Sequence, residues 1–297
     1  MTRVIICILL ILIFILIIVL LESKRELSTV KITNYDMKFS NLPKSFNGYK
    51  IAYLADLHGS KHDTRLLISK IKDFKPDIII IGGDMIVSSD EDSNTNKRMA
   101  NFLNELSDIC HVYYGIGNHE KGMMYKSEHM DEFPDNTWKE YFDGFKCNDK
   151  ITYMDNKIVE IQKNNSIIKL YGLSVDRFFY RRFHKIKLTN EQFLSYIKKP
   201  DENSFNILIA HHPDYFKDYS QYNFSLVLSG HNHGGLIRLP ILGGVVSPRL
   251  HLFPVYDYGI FGNNNTRMIL TSGLGSHFPK IRFNNFPEIV YITLNNE

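Results

Sequence analysis

Two histidines one residue apart, His231 and His233, lie in Ser229-Gly-His-Asn-His-Gly-Gly235, directly after the apolar run at residues 224–228. Side chains on an extended chain alternate between faces, so both imidazoles point the same way and can reach one small site. The flanking glycines let the backbone bend sharply there. A His-x-His pair alone also fits an ordinary polar loop, so a metal centre requires further ligands elsewhere. Four other apolar runs supply them. Residues 49–55 lead into Asp56-Leu-His58, 77–81 into Gly82-Gly-Asp84, 111–116 into Gly117-Asn-His-Glu120, and 205–210 into His211-His-Pro213. Collected, Asp56, His58, Asp84, Asn118, His119, His211, His231 and His233 are all oxygen or imidazole donors without sulfur, a set that suits Mn, Fe or Zn. That number exceeds one tetrahedral site and matches two divalent ions about 3.5–4 Å apart under a bridging carboxylate, for which Asp84 is the natural choice.

The elements that must position these groups are legible in the periodicity. Leu67, Ile71 and Phe74 recur at helical spacing behind a candidate cap at Asp63, and Pro76 stops that helix. Met99, Phe102, Leu103 and Leu106 give the next helix its apolar face. Three strand–helix units therefore each end in a polar group at the carboxyl edge of a strand, where sites of open α/β sheets are built. The aromatic segment at residues 125–148, with Trp138, Phe133, Tyr141, Phe142 and Phe145, reads as core or lid. Alternating runs at 151–154, 157–161 and 167–173 predict a second, more antiparallel sheet. Closing strands are expected at 266–271 and 288–294, after a Gly/Pro-rich loop over 239–254.

Composition sets the bounds. A chain of 297 residues with 44% apolar content has ample material for a core. With 35 basic against 32 acidic residues, the overall charge gives no argument for a nucleic-acid partner. Cys7, Cys110 and Cys147 form no close pair, which excludes a disulfide framework and a thiolate zinc site. Residues 4–21 are 18 consecutive apolar residues. As a helix they extend about 27 Å, close to a hydrocarbon core of roughly 30 Å. A cleaved signal peptide is the competing reading. No small-x-small cleavage site precedes Glu22, so an uncleaved single-pass anchor in the cell membrane is expected. Arg3 and the terminal amine on one flank balance Lys24 and Arg25 on the other, which leaves the side of the membrane undecided. The expected division is an anchor at 1–22, a tether and leading strand at 23–48, and a catalytic domain at 49–297.

Asp-x-His, Gly-Gly-Asp, Gly-Asn-His-Glu, His-x-Pro and Gly-His-x-His, in that order and at strand ends, resemble the calcineurin-like metallophosphoesterase family over about residues 49–297. Val246-Ser-Pro248, Ser272-Gly-Leu-Gly275, Ile281-Arg-Phe283 and Pro287-Glu288, with the apolar head, resemble its membrane-associated bacterial (YkuE-like) branch. The resemblance implies an α/β fold of four layers, an α/β/β/α sandwich. It implies that Asp56, His58 and His233 hold one ion and Asn118, His211 and His231 the other, with Asp84 between them. His-x-Pro selects His211 over His212, which points to the opposite face. By the same resemblance His119 acts on the leaving oxygen, although a structural histidine bonded to Asp56 or the backbone fits the sequence as well.

The continuation after Gly82-Gly-Asp84 is Met-Ile-Val-Ser-Ser, without the Asp-Arg-Gly typical of the family's Ser/Thr protein phosphatases, and this argues against a protein substrate. Residues 177–187 interleave six basic or histidine positions with aromatics and read either as a headgroup-gripping rim or as a solvated loop. Arg177, His277 and Arg282 are weaker candidates for substrate contact. The expected function is a membrane-anchored, dinuclear metal-dependent phosphohydrolase for a phosphodiester or pyrophosphate, with a phospholipid-like or other phosphorylated small molecule as substrate. Its rivals are a non-catalytic membrane-tethered metal-binding scaffold and a nuclease or nucleotide phosphodiesterase.

Overall fold

The computed structural model describes residues 2–88, 93–129, 137–181, 186–276 and 280–297. Its first sheet joins β1 (Lys31–Phe39), β14 (Glu288–Asn296), β2 (Tyr49–Leu54), β3 (Ile78–Ile81), β4 (Val112–Gly115) and β5 (Ile151–Met154) in that order. Strands β2 to β5 run parallel, and β14 enters antiparallel to β2 and parallel to β1. The second sheet has the order β12 (Gly259–Asn263), β13 (Thr266–Leu270), β9 (Leu226–Ser229), β8 (Phe205–Ala210), β7 (Ser166–Leu173) and β6 (Lys157–Lys163).

Alternation along the strands makes the layers. In β3, four consecutive isoleucines are buried on both faces: Ile78 and Ile80 face the second sheet, with Ile207, Ile209, Leu226 and Leu228. Ile79 and Ile81 face outward onto Leu67 and Ile71 of α2 (Thr64–Phe74) and Met99, Phe102 and Leu103 of α3 (Ser93–Ser107). On the far side, Leu208 and Val227 pack with Phe193 of α6 (Asn190–Tyr196) and with Phe216 and Tyr219 of α7 (Phe216–Tyr219). Three apolar layers between four layers of structure give the α/β/β/α sandwich. The candidate cap is present, since Asp63 accepts the amide of Arg65 at the start of α2.

Two expectations change. The second sheet is not mainly antiparallel: β7, β8, β9 and β13 run parallel, and only its outer strands β6 and β12 are antiparallel. Residues 151–154 belong to the first sheet, as β5. Short runs carry no directional signal, and the crossover helices α6 and α7 are only seven and four residues long, too short to stand out by periodicity.

The amino-terminal helix α1 spans Thr2–Leu27, so the boundary expected at residue 22 falls within it. It is the helix long and apolar enough to cross a membrane among the described residues, and none of its apolar window is buried. Its last turns dock on the domain. Ser23 and Glu26 are buried, the Ser23 hydroxyl accepts the amide of Arg282 at 2.9 Å, and the Glu26 carboxylate accepts the amide of Asn285 at 2.8 Å. With β1 hydrogen-bonded along its length to β14, residues 23–48 are built into the domain.

Candidate metal centre

The strand ends converge as a consequence of strand order. Strands β2, β3 and β4 are parallel neighbours in one sheet, and β8 and β9 are parallel neighbours in the other, so their carboxyl ends meet at one edge of the sandwich. Hydrogen bonds then zip the turns together: Asp56 N–H donates to Gly83 O (2.9 Å), His58 N–H to Asp84 O (3.0 Å), and Gly230 N–H to His211 O (3.2 Å). The backbone is strained where it presents side chains. Asp56, His58, Asp84, His231 and His233 all have φ between 48° and 70°, a left-handed conformation that costs L-residues roughly 1–3 kcal/mol each and clusters at functional sites. Gly117 lets the turns approach, because a Cβ there would lie 2.1 Å from Asp84 Oδ1.

Three groups of side chains have ligand atoms within 4.8 Å of one another: Asp56, His58 and His233; His58, Asp84 and His119; and Asp84, His211 and His231. Asp84 Oδ2 lies 3.1 Å from His211 Nε2, 3.9 Å from His58 Nε2 and 4.0 Å from His119 Nε2. Asp56 Oδ1 lies 3.5 Å from His233 Nε2 and 3.8 Å from His58 Nε2. The two imidazole nitrogens of His58 and His233 approach to 3.0 Å. Asn118 Oδ1 and both ring nitrogens of His231 are buried without a hydrogen-bond partner among the described residues, which a folded protein tolerates when something else satisfies them. Oxygen and imidazole donors around two carboxylates fit divalent cations. His211 is fixed for that purpose: its Nδ1 is 2.8 Å from Gly82 O, which turns Nε2 toward Asp84.

The electrostatics describe a centre made to exchange protons for cations. Burial pushes Asp56 up to about 7, with Asp84 adding to the rise against the opposing His211. Burial alone would lower His211, but the Asp84 carboxylate, seconded by Asp56, lifts it to about 10. Burial holds His231 and His119 below the ordinary histidine value, as neutral imidazoles. Because metal ligands must be deprotonated, cation uptake at pH 7 is expected to release protons, read by titration calorimetry in buffers of different ionisation enthalpy. A second consequence carries a definite sign. The folded metal-free protein keeps the His211 proton from the unfolded value of 6.5 up to about 10, while the unfolded chain loses it, so stability falls as pH rises through that window. The metal-free protein should lose roughly 5–10 °C in Tm between pH 7 and 10, and the loaded protein much less.

Sequence-based candidates outside the cluster fare differently. Arg282 is not a substrate contact: it is 1% exposed, and its guanidinium donates to the carbonyls of Ser272 (2.7 Å), Gly273 (3.2 Å), Gly275 (2.5 Å) and Asn285 (3.2 Å). A cation surrounded by carbonyls in a turn is spent on holding that turn. Arg177 stacks over Tyr125 and lines a cavity of about 800 Å³ that shares Asn118 and Tyr180 with the metal cleft. His277 lies outside the described residues, as do positions 182–185 of the basic–aromatic stretch. The rest of that stretch contributes Tyr180, whose ring stacks on His212 and lies 5.2 Å from His231. His212 Nε2 accepts an N–H from Arg249 (2.8 Å), and its Nδ1 lies 3.4 Å from the Asp214 amide nitrogen, outside the cluster.

Sequence reasoning missed three residues. Glu120 is fully buried and accepts the amides of Asp84, Met85 and Gly117 and the Tyr114 hydroxyl, tying two ligand-bearing turns together. The available signal was its place in Gly-Asn-His-Glu. Ser88 N–H donates to His119 Nδ1 at 2.9 Å, which fixes that nitrogen as acceptor and puts the proton of the neutral ring on Nε2, on the Asp84 side. Asn285 donates its side-chain amide to the carbonyls of His233 (2.7 Å) and Gly235 (3.1 Å), and no sequence signal marked it.

A sequence profile of the calcineurin-like phosphoesterases matches residues 49–235, which hold every strand end of this cluster. The chain belongs to that family. That family is dinuclear and metal-dependent and hydrolyses phosphoester bonds, and this chain has Asp/His clusters able to bind metal. Among curated proteins it is 26% identical over 271 residues to the uncharacterized metallophosphoesterase YkuE of Bacillus subtilis, covering 90% of this chain and 86% of that protein. It is 26% identical to the phosphodiesterase YaeI of Escherichia coli, covering 83% and 82%. A zebrafish relative named as a transmembrane protein with a metallophosphoesterase domain is 23% identical; the match covers 89% of this chain and 57% of that protein. The phosphoesterase fold continues beyond the profile, since β13 and β14 complete the two sheets.

Proposed function

We propose that this phosphoesterase is a single-pass membrane enzyme that hydrolyses a phosphodiester or pyrophosphate in a lipid-borne substrate. The observation that carries the reading is one cleft of about 1360 Å³. His58, Asn118, His119 and His231 lie along it together with Leu20, Ser23, Lys24 and Leu27 of α1. Anchor and chemistry share a wall, so a substrate held at the bilayer surface needs no travel to reach the centre. Lys24, Lys61 and Lys280 on the same cleft suit a headgroup with more than one negative charge. The near-neutral chain, at +3, speaks against a nuclease.

In this reading Asp56, His58 and His233 would hold one ion and Asn118, His211 and His231 the other, with Asp84 shared between them and Mn, Fe or Zn as the native pair. Bound there, two divalent ions supply a water of lowered pKa and neutralise charge on the phosphoryl oxygens. The chain does the rest. Asp84 takes the His119 amide on Oδ1, which keeps the ring beside the clustered donors, with Nε2 4.0 Å from Asp84 Oδ2. Ser88 keeps the His119 proton on Nε2, where the neutral imidazole can donate a hydrogen bond to the charge growing on the leaving oxygen. Buried His231 and partly buried Tyr180 form one side of the cleft.

The full chain is the right test object, because a version beginning at Thr29 lacks the Ser23 and Glu26 contacts to the Arg282–Asn285 turn. In proteoliposomes it should prefer phospholipid or nucleotide-linked lipid diesters over cyclic nucleotides and soluble nucleotide diesters. Equal or greater rates on the soluble substrates would overturn the lipid reading. His119→Ala should lower kcat about 10²–10⁴-fold with two ions still bound, and less for an ester with a good leaving group such as p-nitrophenolate. An unchanged rate would remove the leaving-oxygen role.

A further inference from the structure

Residues 239–255, Leu-Pro-Ile-Leu-Gly-Gly-Val-Val-Ser-Pro-Arg-Leu-His-Leu-Phe-Pro-Val, contain two ionisable side chains, Arg249 and His251. Arg249 is 4% exposed and turned inward, with its guanidinium on His212, Asp214 and the Arg181 carbonyl. The outward side is apolar: Ile241, Leu242, Leu250, Leu252, Phe253 and Val255 are all more than half exposed. Such a concentration of large apolar side chains on one segment marks an interaction surface.

The segment is ordered by its own backbone. β10 (Arg238–Leu239) pairs with β11 (Gly243–Gly244), Leu236 N–H donates to Val246 O, and Phe253 N–H donates to Val245 O. Asp257 fastens the stem, accepting Gly244 N–H at 2.7 Å and Arg238 Nη1 at 2.9 Å. Ile241, Leu250 and Phe253 stand at φ of 70°, 63° and 48°, conformations that bulky residues adopt under constraint. The ribbon thus holds its apolar tips out against both hydration and backbone preference.

Position identifies the occupant. The stem is hydrogen-bonded to the turn that receives the anchor: Arg238 N–H donates to Phe283 O and Phe283 N–H to Leu236 O, while the neighbouring Arg282 and Asn285 amides are held by Ser23 and Glu26 of α1. Pro248 and Arg249 of the ribbon and Leu20, Lys24 and Leu27 of the helix line the same cleft. We infer that the ribbon at residues 239–255 is a second membrane contact, its apolar tips resting in the headgroup–acyl boundary beside the point where α1 leaves the bilayer. The inference rests on α1 being a bilayer helix and adds to it the orientation of the domain. A helix docked on the domain through Ser23 and Glu26 can still tilt in the bilayer; a second contact fixes that tilt, with the metal cleft between the two and its mouth on the lipid. Interfacial binding of this kind scales with buried apolar area and seats side chains roughly 5–10 Å into the boundary.

The test uses full-length protein in phosphatidylcholine/phosphatidylglycerol vesicles with and without dibrominated acyl chains. Leu252→Trp and Ile241→Trp place reporters on the tips, and Ile167→Trp, at the amino end of β7 and so opposite the metal edge, is the control; emission is taken over the parent's Trp138. Roughly half or more of the added emission at 241 and 252 should be quenched, and that at 167 left intact, given that depth. Protein that resists carbonate extraction but shows no quenching at 241 and 252 overturns the ribbon contact while leaving the anchor standing. Protein that carbonate releases from the vesicles overturns both. Quenching at all three sites equally denies a fixed orientation and overturns the inference as well.

Discussion

Asp84→Asn should lower phosphodiester turnover by about 10³-fold or more, near 4 kcal/mol of lost transition-state stabilisation, while leaving the fold in place. Asp84 is shared by two of the three ligand groups, and its Oδ2 faces His58, His119 and His211. Asparagine keeps the side-chain shape, tolerates the φ of 55°, and can still accept the His119 amide on Oδ1. It removes the charge that two cations need between them. Metal analysis should give fewer than two tightly held ions per chain. The same change removes the main group lifting His211, so the alkaline fall in metal-free Tm should flatten. A variant that still holds two ions and works within tenfold of the parent would show that the centre is not bridged here. The scaffold reading makes the opposite forecast for the parent protein: two ions bound, and no ester turned over with or without Asp84.

The converging donors were legible because they follow strongly apolar runs into glycine-rich turns, which is a local signal. His231 and His233 lie past the end of β9 at φ of 70° and 49°, so the strand alternation expected to align them does not apply, and they fall in different donor groups. Strand order was less legible. The tetra-isoleucine of β3 announces a strand buried on both faces, yet nothing in 151–154 says which sheet it joins, since that depends on partners 39 residues away in β4. Arg282 shows the limit for charged residues. From sequence it reads as a weak candidate for substrate contact, whereas the fold surrounds it with four carbonyl oxygens. The docking of α1 was illegible because its two polar contacts reach backbone amides 259 residues along the chain. Ser23 and Glu26 look like the ordinary polar flank of an apolar helix until that partner is known.

Glu120→Ala should be the most destabilising single substitution near the centre, at about 3–5 kcal/mol, or a Tm lower by roughly 10 °C. The carboxylate collects three backbone N–H groups, from Asp84 (2.9 Å), Met85 (2.8 Å) and Gly117 (3.0 Å), and the Tyr114 hydroxyl (2.7 Å). Alanine strands the three amides in a site with no access to solvent, while the Tyr114 hydroxyl keeps Tyr141 at 2.9 Å, and each buried unsatisfied group costs about 1–3 kcal/mol before relaxation. Burial, with Asp84 nearby, pushes this carboxyl up to about 7, and the Tyr114 and backbone donors oppose that rise. The functional consequence follows from which amides are lost. Asp84 is positioned at its own N–H by Glu120, and Gly117 precedes ligand candidate Asn118, so both turns should shift apart and metal affinity should fall with stability. Glu120→Gln separates the two effects. It preserves volume and one acceptor oxygen but faces an amide N–H₂ toward donors, so it should melt between alanine and the parent and bind metal more weakly than the parent. Thermal denaturation with and without chelator, beside metal titration, reads both quantities. If Glu120→Ala melts within about 2 °C of the parent, the two turns are held by their own backbone contacts and the carboxylate is not their fastener.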